Sequence, residues 1–422
     1  MLRVLLELVA IIKTLQNGTS SMATFLSTPA QPTYQTKTAK TAHVAAFITT
    51  KPTFLPLKTW PTLTAKERLR QQLHLLSYQS GLSSIYARLK QASVATILMY
   101  HSIPTEQEAQ WTAPENCISA STFEQQMRFL SQHRRVISLD KLIAHIKSGK
   151  PIERGTVVIT FDDGYRNNFT VAAPILAKYN LPATIYLATS YVNAAQNQWV
   201  DTLYAALRTC SEYQLNLSDS NLLAPDFSAS VQDSWNLGSW NLTDPLQREQ
   251  AYDKLTDYLI EADVLERQTL LAEIDRQLAP RAYPPRLTLN WDEVRQIQRQ
   301  YPKITLGIHT ANHLDLSLHE DQTAQEMATS IEHMVSETGM PPTHFSFPYN
   351  RYTAKAQAQV AASQIASAVA VAEDPVVRSD TSLYALPRLS APPSLLMLKS
   401  WTNGGFPDVS RKLFNRIWTI PY

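Results

Sequence analysis

Two adjacent carboxylates are the first side chains in this chain that could perform acid and base chemistry. The segment Thr160-Phe161-Asp162-Asp163-Gly164 follows the apolar run Val157 to Ile159. A short apolar run of this kind predicts a buried strand, so the two carboxylates would lie at its carboxyl end. Active sites of α/β barrels are assembled at that end of the strands. Asp-Asp-Gly after a strand is also a common turn, and this segment alone leaves both interpretations open.

Two histidines follow a second apolar run in the same way. His309 and His313 lie four residues apart, directly after Ile304 to Ile308. That spacing can bring two imidazole nitrogens to one divalent ion, although paired histidines also occur as solvated or capping residues. A third ligand must supply oxygen, and Asp163 is the natural candidate. Two histidines and one carboxylate leave coordination positions open for water and substrate, as hydrolysis requires.

Several segments in a defined order resemble the polysaccharide deacetylase family, the NodB-homology carbohydrate esterases. The order of these segments along the chain makes the resemblance more specific than the Asp162-Asp163 motif or the His309/His313 motif alone. The resemblance covers roughly residues 101–388. The segments that carry it are Leu98 to Ser102, Phe123 to Leu139, Ile159 to Tyr165, Gly307 to His313, Phe347-Pro348-Tyr349 and Leu386-Pro387-Arg388.

This resemblance implies a distorted (β/α) barrel of about seven strands, a bound divalent metal with zinc expected, and removal of acetyl groups from N-acetylglucosamine-type or acetylated xylan-type polymers. The implied metal ligands are Asp163, His309 and His313. Asp162 would be the general base that takes a proton from the attacking water. The backbone N–H of Tyr349 would stabilise charge on the tetrahedral oxygen.

The chain departs from the best-known family members at two positions. An arginine usually precedes the Pro-Tyr motif and anchors the base, but Ser346-Phe347 occupies this place. Arg388 is the alternative anchor for the base, or else a structural arginine. The usual late histidine that acts as general acid is also missing, because no histidine follows His344. His101, at the end of the first barrel strand, is the expected replacement, with a capping role as its alternative.

The surrounding elements alternate between β-prone and amphipathic segments, which predicts an α/β fold with a parallel sheet or barrel. About seven strands are counted, and this number suits a barrel. Predicted strands are 94–99, 136–138, 156–161, 183–187, 304–308, 344–347 and 367–371. Predicted helices are 123–132, 139–148, 169–179, 291–299, 323–338 and 354–366.

The alternation is interrupted between residues 199 and 287, where a polar, helix-rich stretch predicts an insertion. The barrel is expected over 93–400, followed by a tail at 401–422. Residues 65–92 predict two short amphipathic helices that pack on the barrel or face an anionic membrane surface. Residues 1–64 predict an unstructured leader, because no Asp or Glu occurs between Leu8 and Lys66. A weak export signal is the alternative.

Composition limits the other classes of function. The net charge of +2 reflects balanced acids and bases without a dense basic block, so nucleic acid is an unexpected partner. Ten glycines and no Gly-rich loop argue against a nucleotide enzyme. Two distant cysteines, Cys117 and Cys210, leave the compartment open. The expected substrate favours a bacterial-type cell-envelope or secreted location, because such a polymer would require export.

Two other functions remain open at this stage. One is a deacylase of a small or lipid-linked sugar, including a deformylase or an O-deacetylase. The other is a degenerate barrel that binds carbohydrate without catalysis, which predicts loss of the metal ligands or the base. Asp162, Asp163, His309 and His313 are all present, and this favours an enzyme.

Overall fold

Parallel strands form a closed barrel in the computed structural model of the chain. The structure describes residues 54–57, 72, 76, 78–81, 94–218, 237–372 and 375–403. The expectations for residues 1–53, for most of 65–92 and for the tail beyond residue 403 therefore lie outside the described residues. The barrel strands are β1 (Ala95–Tyr100), β3 (Thr156–Phe161), β4 (Ala183–Leu187), β7 (Ile304–Ile308), β8 (His344–Ser346), β9 (Ser367–Val371) and β10 (Leu386–Ser390).

Pairing between the first and third strands closes the barrel. The strands follow the order β1-β10-β9-β8-β7-β4-β3, and β1 then pairs with β3 in parallel from Ala95 opposite Thr156 to Tyr100 opposite Phe161. The short strand β2 (Arg135–Val136) extends β3 outside the closed ring. All pairings of the ring are parallel, so the carboxyl ends of its seven strands meet at one rim.

Helices cover the barrel and connect successive strands. Several begin where the sequence supplies a capping side chain: Ser119 accepts from the backbone N–H of Thr122, and Asn290 forms a reciprocal capping box with Glu293. Around the barrel lie α1 (Ala120–His133), α2 (Leu139–Lys147), α3 (Ala173–Lys178), α4 (Thr189–Ala194), α8 (Trp291–Gln300), α9 (Thr323–Thr338), α10 (Ala354–Ala362) and α11 (Leu395–Trp401). Among the helices of the described ranges, none has both the length and the apolar composition that a membrane crossing needs.

Burial explains why β1, β3 and β4 are mostly apolar in sequence. Every residue of β1, β3 and β4 is buried, since each strand faces the barrel interior on one side and helices on the other. The main core includes Leu98, Phe161 and Ile308. At roughly 25 cal/mol per Å² of apolar surface, this burial is the main force that closes the barrel.

The insertion builds a second hydrophobic core of its own. It consists of α5 (Trp199–Thr209), the antiparallel pair β5 (Gln214–Asn216) and β6 (Ser239–Asn241), α6 (Pro245–Glu261) and α7 (Val264–Leu278). Leu203, Leu255 and Ile274 are among its buried residues. The strand pair is an addition to the helix-rich stretch predicted from sequence.

The predicted α/β class and the seven-stranded barrel of NodB type are confirmed. Two details differ from the expectations. The segment expected as one helix from residue 169 begins with a π-helical turn at Asn168–Ala172 before α3. Arg388 lies inside β10, a strand that is absent from the predicted set. Its side chain can therefore enter the barrel interior, where it is fully buried.

Candidate active site

The candidate residues converge at the carboxyl rim of the barrel. Asp162 and Asp163 follow β3 directly, and His309 follows β7. The backbone at Asp163, Thr310 and His313 has positive φ values of 71°, 59° and 54°. Left-handed backbone is unfavourable for residues with a side chain and is concentrated at functional sites. Contacts with the rest of the fold must therefore hold both loops in these backbone conformations, which the residues themselves do not favour.

Asp163, His309 and His313 come together as three ligand atoms around one point. The Asp163 Oδ1 atom lies 3.1 Å from His313 Nε2 and 3.5 Å from His309 Nε2. The two Nε2 atoms lie 3.2 Å apart. All three residues are buried, and they form the one such cluster of possible metal ligands found among the described residues.

These three residues fit a divalent cation on two further grounds. Two nitrogen ligands at about 2.0–2.1 Å from a tetrahedral zinc ion are about 3.3 Å apart, close to the observed separation. The Asp163 Oδ1 atom is buried without a hydrogen-bond donor among the described residues. A buried carboxylate oxygen without a donor is costly unless a cation satisfies it, so the donor set suits a metal.

His309 is oriented as a neutral ligand. Its Nδ1 atom lies 2.7 Å from the carbonyl oxygen of Ser346, and a proton on Nδ1 would be donated there. That tautomer leaves a lone pair on Nε2 toward the cluster. Burial lowers the pKa of His309 to about 4, which outweighs the opposing charges of Asp162 and Asp163. The ring is therefore neutral near pH 7.

Asp162 is held by the arginine that the sequence offered as its anchor. Arg388 donates from Nη1 to Asp162 Oδ1 at 2.7 Å and from Nη2 to Oδ2 at 2.6 Å. This bidentate pair is buried on both sides. Ser346 also donates from its hydroxyl to Asp162 Oδ2 at 3.1 Å. Such a fork fixes the plane of the carboxylate as well as its position.

The charge of Asp162 is maintained despite complete burial. Burial raises the pKa of this carboxyl, but the charge of Arg388 together with the Arg388 hydrogen bonds brings the net pKa below its ordinary value. The Asp162 Oδ2 atom is 3.8 Å from His309 Nε2, beside the three ligand atoms. An ionised carboxylate next to the ligand cluster is suitable for accepting a proton there.

Tyr349 and His101 border the same cluster. The Tyr349 ring packs edge to face against His313 with centroids 4.5 Å apart, and the Tyr349 hydroxyl accepts from Trp199 Nε1 at 2.9 Å. Its backbone is left-handed, with φ of 52°. His101 is half-buried and follows β1, and its charge contributes to the lowered pKa of both Asp162 and Asp163.

Three other aromatic side chains are buried in the protein interior. Tyr165, Trp199 and Trp291 are buried, so they do not present an open face to a sugar. Asp201, which follows Trp199 in the sequence, is also buried. Burial raises its pKa well above the ordinary range, and the charge of Asp163 adds to the shift.

Sequence reasoning missed several residues that support the cluster. Ser346 contacts Asp162, Arg388 and His309, yet a lone serine in an apolar segment carries no spacing signal. The only hint was its place in the motif segment where an arginine was expected. Glu326 from α9 accepts from the backbone N–H and the side chain of Asn312 at 2.8 and 2.7 Å.

Comparison with known sequences adds the family to this geometry. A family model described as polysaccharide deacetylase matches residues 149–212 and 230–367, which include both ligand-bearing loops. The chain belongs to this family. The poly-beta-1,6-N-acetyl-D-glucosamine N-deacetylase of Staphylococcus aureus is 30% identical over 114 residues, which is 27% of this chain and 37% of that protein. YxkH of Bacillus subtilis is 30% identical over 107 residues, 25% of this chain and 36% of that protein.

The matched segment thus spans little more than a third of the length of these relatives. Among solved structures, the Streptococcus pyogenes deacetylase PplD in complex with acetate aligns with a TM-score of 0.46 and 16% identity. The alignment covers 74% of this chain and 98% of PplD.

Proposed function

We propose that this polysaccharide deacetylase family member is a metal-dependent hydrolase that removes N-acetyl groups from a polymer containing N-acetylglucosamine. The observation that carries the proposal is the buried cluster of Asp163, His309 and His313 beside the ionised pair of Asp162 and Arg388. An isolated ligand set or an isolated ion pair would suit many proteins. Next to each other, the ligand cluster can hold a cation that activates the carbonyl, and Asp162 can serve as the base.

Asp163, His309 and His313 would hold the cation, for which zinc is the expected metal. When bound, the cation would acidify a water molecule and polarise the acetyl carbonyl. Asp163 is suited to ligation because its lowered pKa keeps it ionised, although burial alone would raise that pKa. His309 is also suited to ligation, because its lowered pKa keeps the ring neutral and leaves a lone pair on Nε2.

Asp162 would act as the general base. Its Oδ2 atom lies beside the ligand cluster, so it can take a proton from the attacking water. Arg388 and Ser346 would fix the carboxylate while the proton moves. The backbone N–H of Tyr349, on a left-handed turn at the edge of the cluster, would donate to the oxygen that becomes negative.

The leaving amine requires a proton, and His101 would supply it. No histidine follows His344 in the chain, and His101 is the remaining histidine whose charge acts on both carboxylates. Its half-buried position permits access from the substrate side. With Asp162 removing a proton from water and His101 adding one to the nitrogen, acetic acid and the free amine form with the protons balanced, and the acid then loses its proton to solvent.

The polymer class follows from the family and from the Staphylococcus aureus relative, whose name states its activity on poly-beta-1,6-N-acetyl-D-glucosamine. Because polymers of this class lie outside the cytoplasm, we propose action at the cell envelope or after secretion.

The proposal is tested by measuring metal content and acetate release on one preparation. The full chain is purified, its metal is quantified by elemental analysis, and acetate release from N-acetylglucosamine oligomers is followed with and without a chelator. We expect about one divalent cation per chain and acetate release that stops on chelation and returns on addition of zinc.

Two other results would change the proposed substrate or contradict the proposed function. Metal retention without acetate release would favour a different acylated sugar, tested with O-acetylated xylan and with small glycolipids. A chain that retains no metal and releases no acetate would contradict the proposal and favour a carbohydrate-binding barrel without catalysis.

A further inference from the structure

A buried arginine from the helical insertion reaches the loop that carries the metal-ligand histidines. Arg267 lies in the first turn of α7 and is 3% exposed. It donates from Nη1 to the carbonyl oxygen of Asn312 at 3.0 Å and to that of His313 at 3.4 Å. The insertion therefore contacts the main chain of a candidate ligand directly.

The same guanidinium also joins two helices of the insertion. Arg267 donates from Nε to the carbonyl of Leu259 at 3.1 Å and from Nη2 to that of Ala262 at 3.3 Å. Its guanidinium lies over the Trp199 ring, 5.6 Å from the centroid. Its side chain also hydrogen-bonds to the side chain of Tyr191, and the negative charge of Glu326 acts on it. The charge is thus compensated by main-chain carbonyls, by aromatic side chains and by Glu326.

Carbonyl groups along the histidine loop are held from two sides. The carbonyl of Thr310 accepts from Thr189 N at 3.2 Å, and that of Ala311 accepts from Ser190 N at 2.9 Å. These donors belong to the start of α4 in the barrel. The next two carbonyls, of Asn312 and His313, accept from Arg267. Four consecutive carbonyls are therefore satisfied, two by the barrel and two by the insertion.

The conformation of His313 depends on the two hydrogen bonds that Arg267 donates from the insertion. Its backbone is left-handed, with φ of 54°, which is unfavourable for a histidine without outside support. The His313 Nδ1 atom has no hydrogen-bond partner among the described residues, so its ring is not held through that atom. Main-chain contacts, together with the Tyr349 ring that packs against the imidazole, then direct Nε2 toward the ligand cluster. Removal of Arg267 would leave two buried carbonyls unsatisfied at this point.

We propose that Arg267 is a positioning residue through which the insertion sets the metal affinity of the site. The inference rests on the proposed metal-dependent function. It makes the insertion a coupled part of the metal site: the folded insertion strengthens metal binding, and metal binding stabilises the insertion. Thermodynamic linkage requires this reciprocity. The insertion's contribution to the site is therefore distinct from any contact it makes with substrate.

The test compares two buried arginines of the insertion. Arg248 in α6 is 2% exposed and donates to the carbonyls of Pro56 and Leu242, away from the histidine loop. In the full chain, Arg267→Lys is expected to weaken zinc affinity about ten-fold to a hundred-fold, as loss of outer-shell contacts typically does. Arg248→Lys should lower the unfolding temperature while leaving zinc affinity unchanged. Zinc affinity is measured by competition with a chromophoric chelator.

A second measurement avoids variants that fail to fold. Amide hydrogen exchange of the native metal-free chain is compared with that of the zinc-loaded chain, and exchange in Val264–Leu278 is expected to slow on zinc binding. Native zinc affinity in Arg267→Lys, or zinc binding that leaves exchange in this helix unchanged, would overturn the inference. Absence of zinc binding by the native chain would instead overturn the proposed function on which the inference rests.

Discussion

A general base in a buried site must stay ionised, stay in place and keep access to its proton donor. Asp162 meets these demands through Arg388 and Ser346, which approach its carboxylate from the barrel interior. Its Oδ2 atom remains 3.8 Å from His309 Nε2, on the side of the ligand cluster. A buried ion pair of this kind contributes little net stability, because desolvation offsets its attraction. Here the ion pair orients the Asp162 carboxylate and keeps it ionised.

Replacing Asp162 by Asn is therefore expected to separate catalysis from metal binding. The amide cannot take the proton, so turnover should fall by about 10²- to 10⁴-fold while zinc is retained. Unpairing the buried Arg388 should also cost on the order of 3 kcal/mol of stability. Acetate release, elemental analysis and urea denaturation measure these effects. Ser346→Ala, which leaves the Arg388 fork intact, serves as control with about a ten-fold loss or less. Full activity in Asp162→Asn would refute the assignment of the base.

The lowered pKa of His309 predicts acid sensitivity of the metal-free chain. This pKa is about 4 in the folded state against 6.5 ordinarily. Between these values the unfolded chain binds more protons, so the stabilising contribution is present above pH 6.5 and is lost as pH falls toward 4. From pH 7.5 to 5 the loss should be about 2 kcal/mol, given the folded pKa of about 4. Urea denaturation with chelator present measures it. His309→Gln should flatten the slope, and an unchanged slope would contradict the account.

The sequence indicated much of this chemistry at the level of single residues. Residue type and spacing identified Asp163, His309 and His313, because few side chains bind divalent metals and strand ends meet at one rim. The missing arginine before the Pro-Tyr motif suggested Arg388 as anchor. Ser346 and Arg267 were not foreseen, because their roles depend on contacts between segments distant in sequence. The catalytic roles themselves remain predictions.

At the scale of elements, the spacing between neighbouring strands controls where the histidine loop begins. Gly307 in β7 is two residues before His309 and faces β8. A Cβ atom built on Gly307 would lie 2.6 Å from Tyr186 Cδ1 and 2.7 Å from the carbonyl oxygen of His344. The carbonyl belongs to a paired strand and cannot turn away as a side chain could. Glycine at this position thus permits close packing of β7 against its neighbours.

Gly307→Ala is accordingly expected to displace β7 and the loop that follows it. Overpacking in a core costs about 1–3 kcal/mol, and the displacement should also weaken zinc affinity. Thermal unfolding and chelator competition measure the two effects. Gly149→Ala is a suitable control, because a Cβ there meets no atom within 4 Å. It should cost only about 1–2 kcal/mol from its left-handed backbone and leave zinc affinity unchanged. Equal behaviour of the two variants would contradict the packing argument.

Element prediction succeeded where burial imposes a simple pattern. The strands β3, β4, β7 and β9 are continuous apolar runs and were predicted at their observed limits. β10 was not delimited, because Pro387 and the buried Arg388 interrupt its apolar pattern. The three-residue strands β5 and β6 gave too short a signal, and their pairing depends on segments far apart in sequence.

At the scale of the whole molecule, the candidate site joins parts that are separate in the fold. Asp163 follows β3, whereas His309 and His313 follow β7, and β4 lies between these strands in the barrel. The sequence predicted a barrel but not that β1 and β3 are the strands that close it, because that pairing depends on strand order rather than on any one segment. The insertion core reaches the same rim through Trp199 and Tyr349.

A cation bound at this point should therefore stabilise the whole folded chain. The three ligands converge only after the barrel has closed, so the unfolded chain offers no comparable site. Zinc at a hundred-fold excess over its dissociation constant should add about 2.7 kcal/mol to the free energy of unfolding. Calorimetry of the native chain, with zinc or with chelator, measures the resulting rise in unfolding temperature. His313→Ala should fold but lose this rise, since two ligands bind more weakly than three. If zinc leaves the unfolding temperature of the native chain unchanged, the cluster does not bind zinc in the folded state.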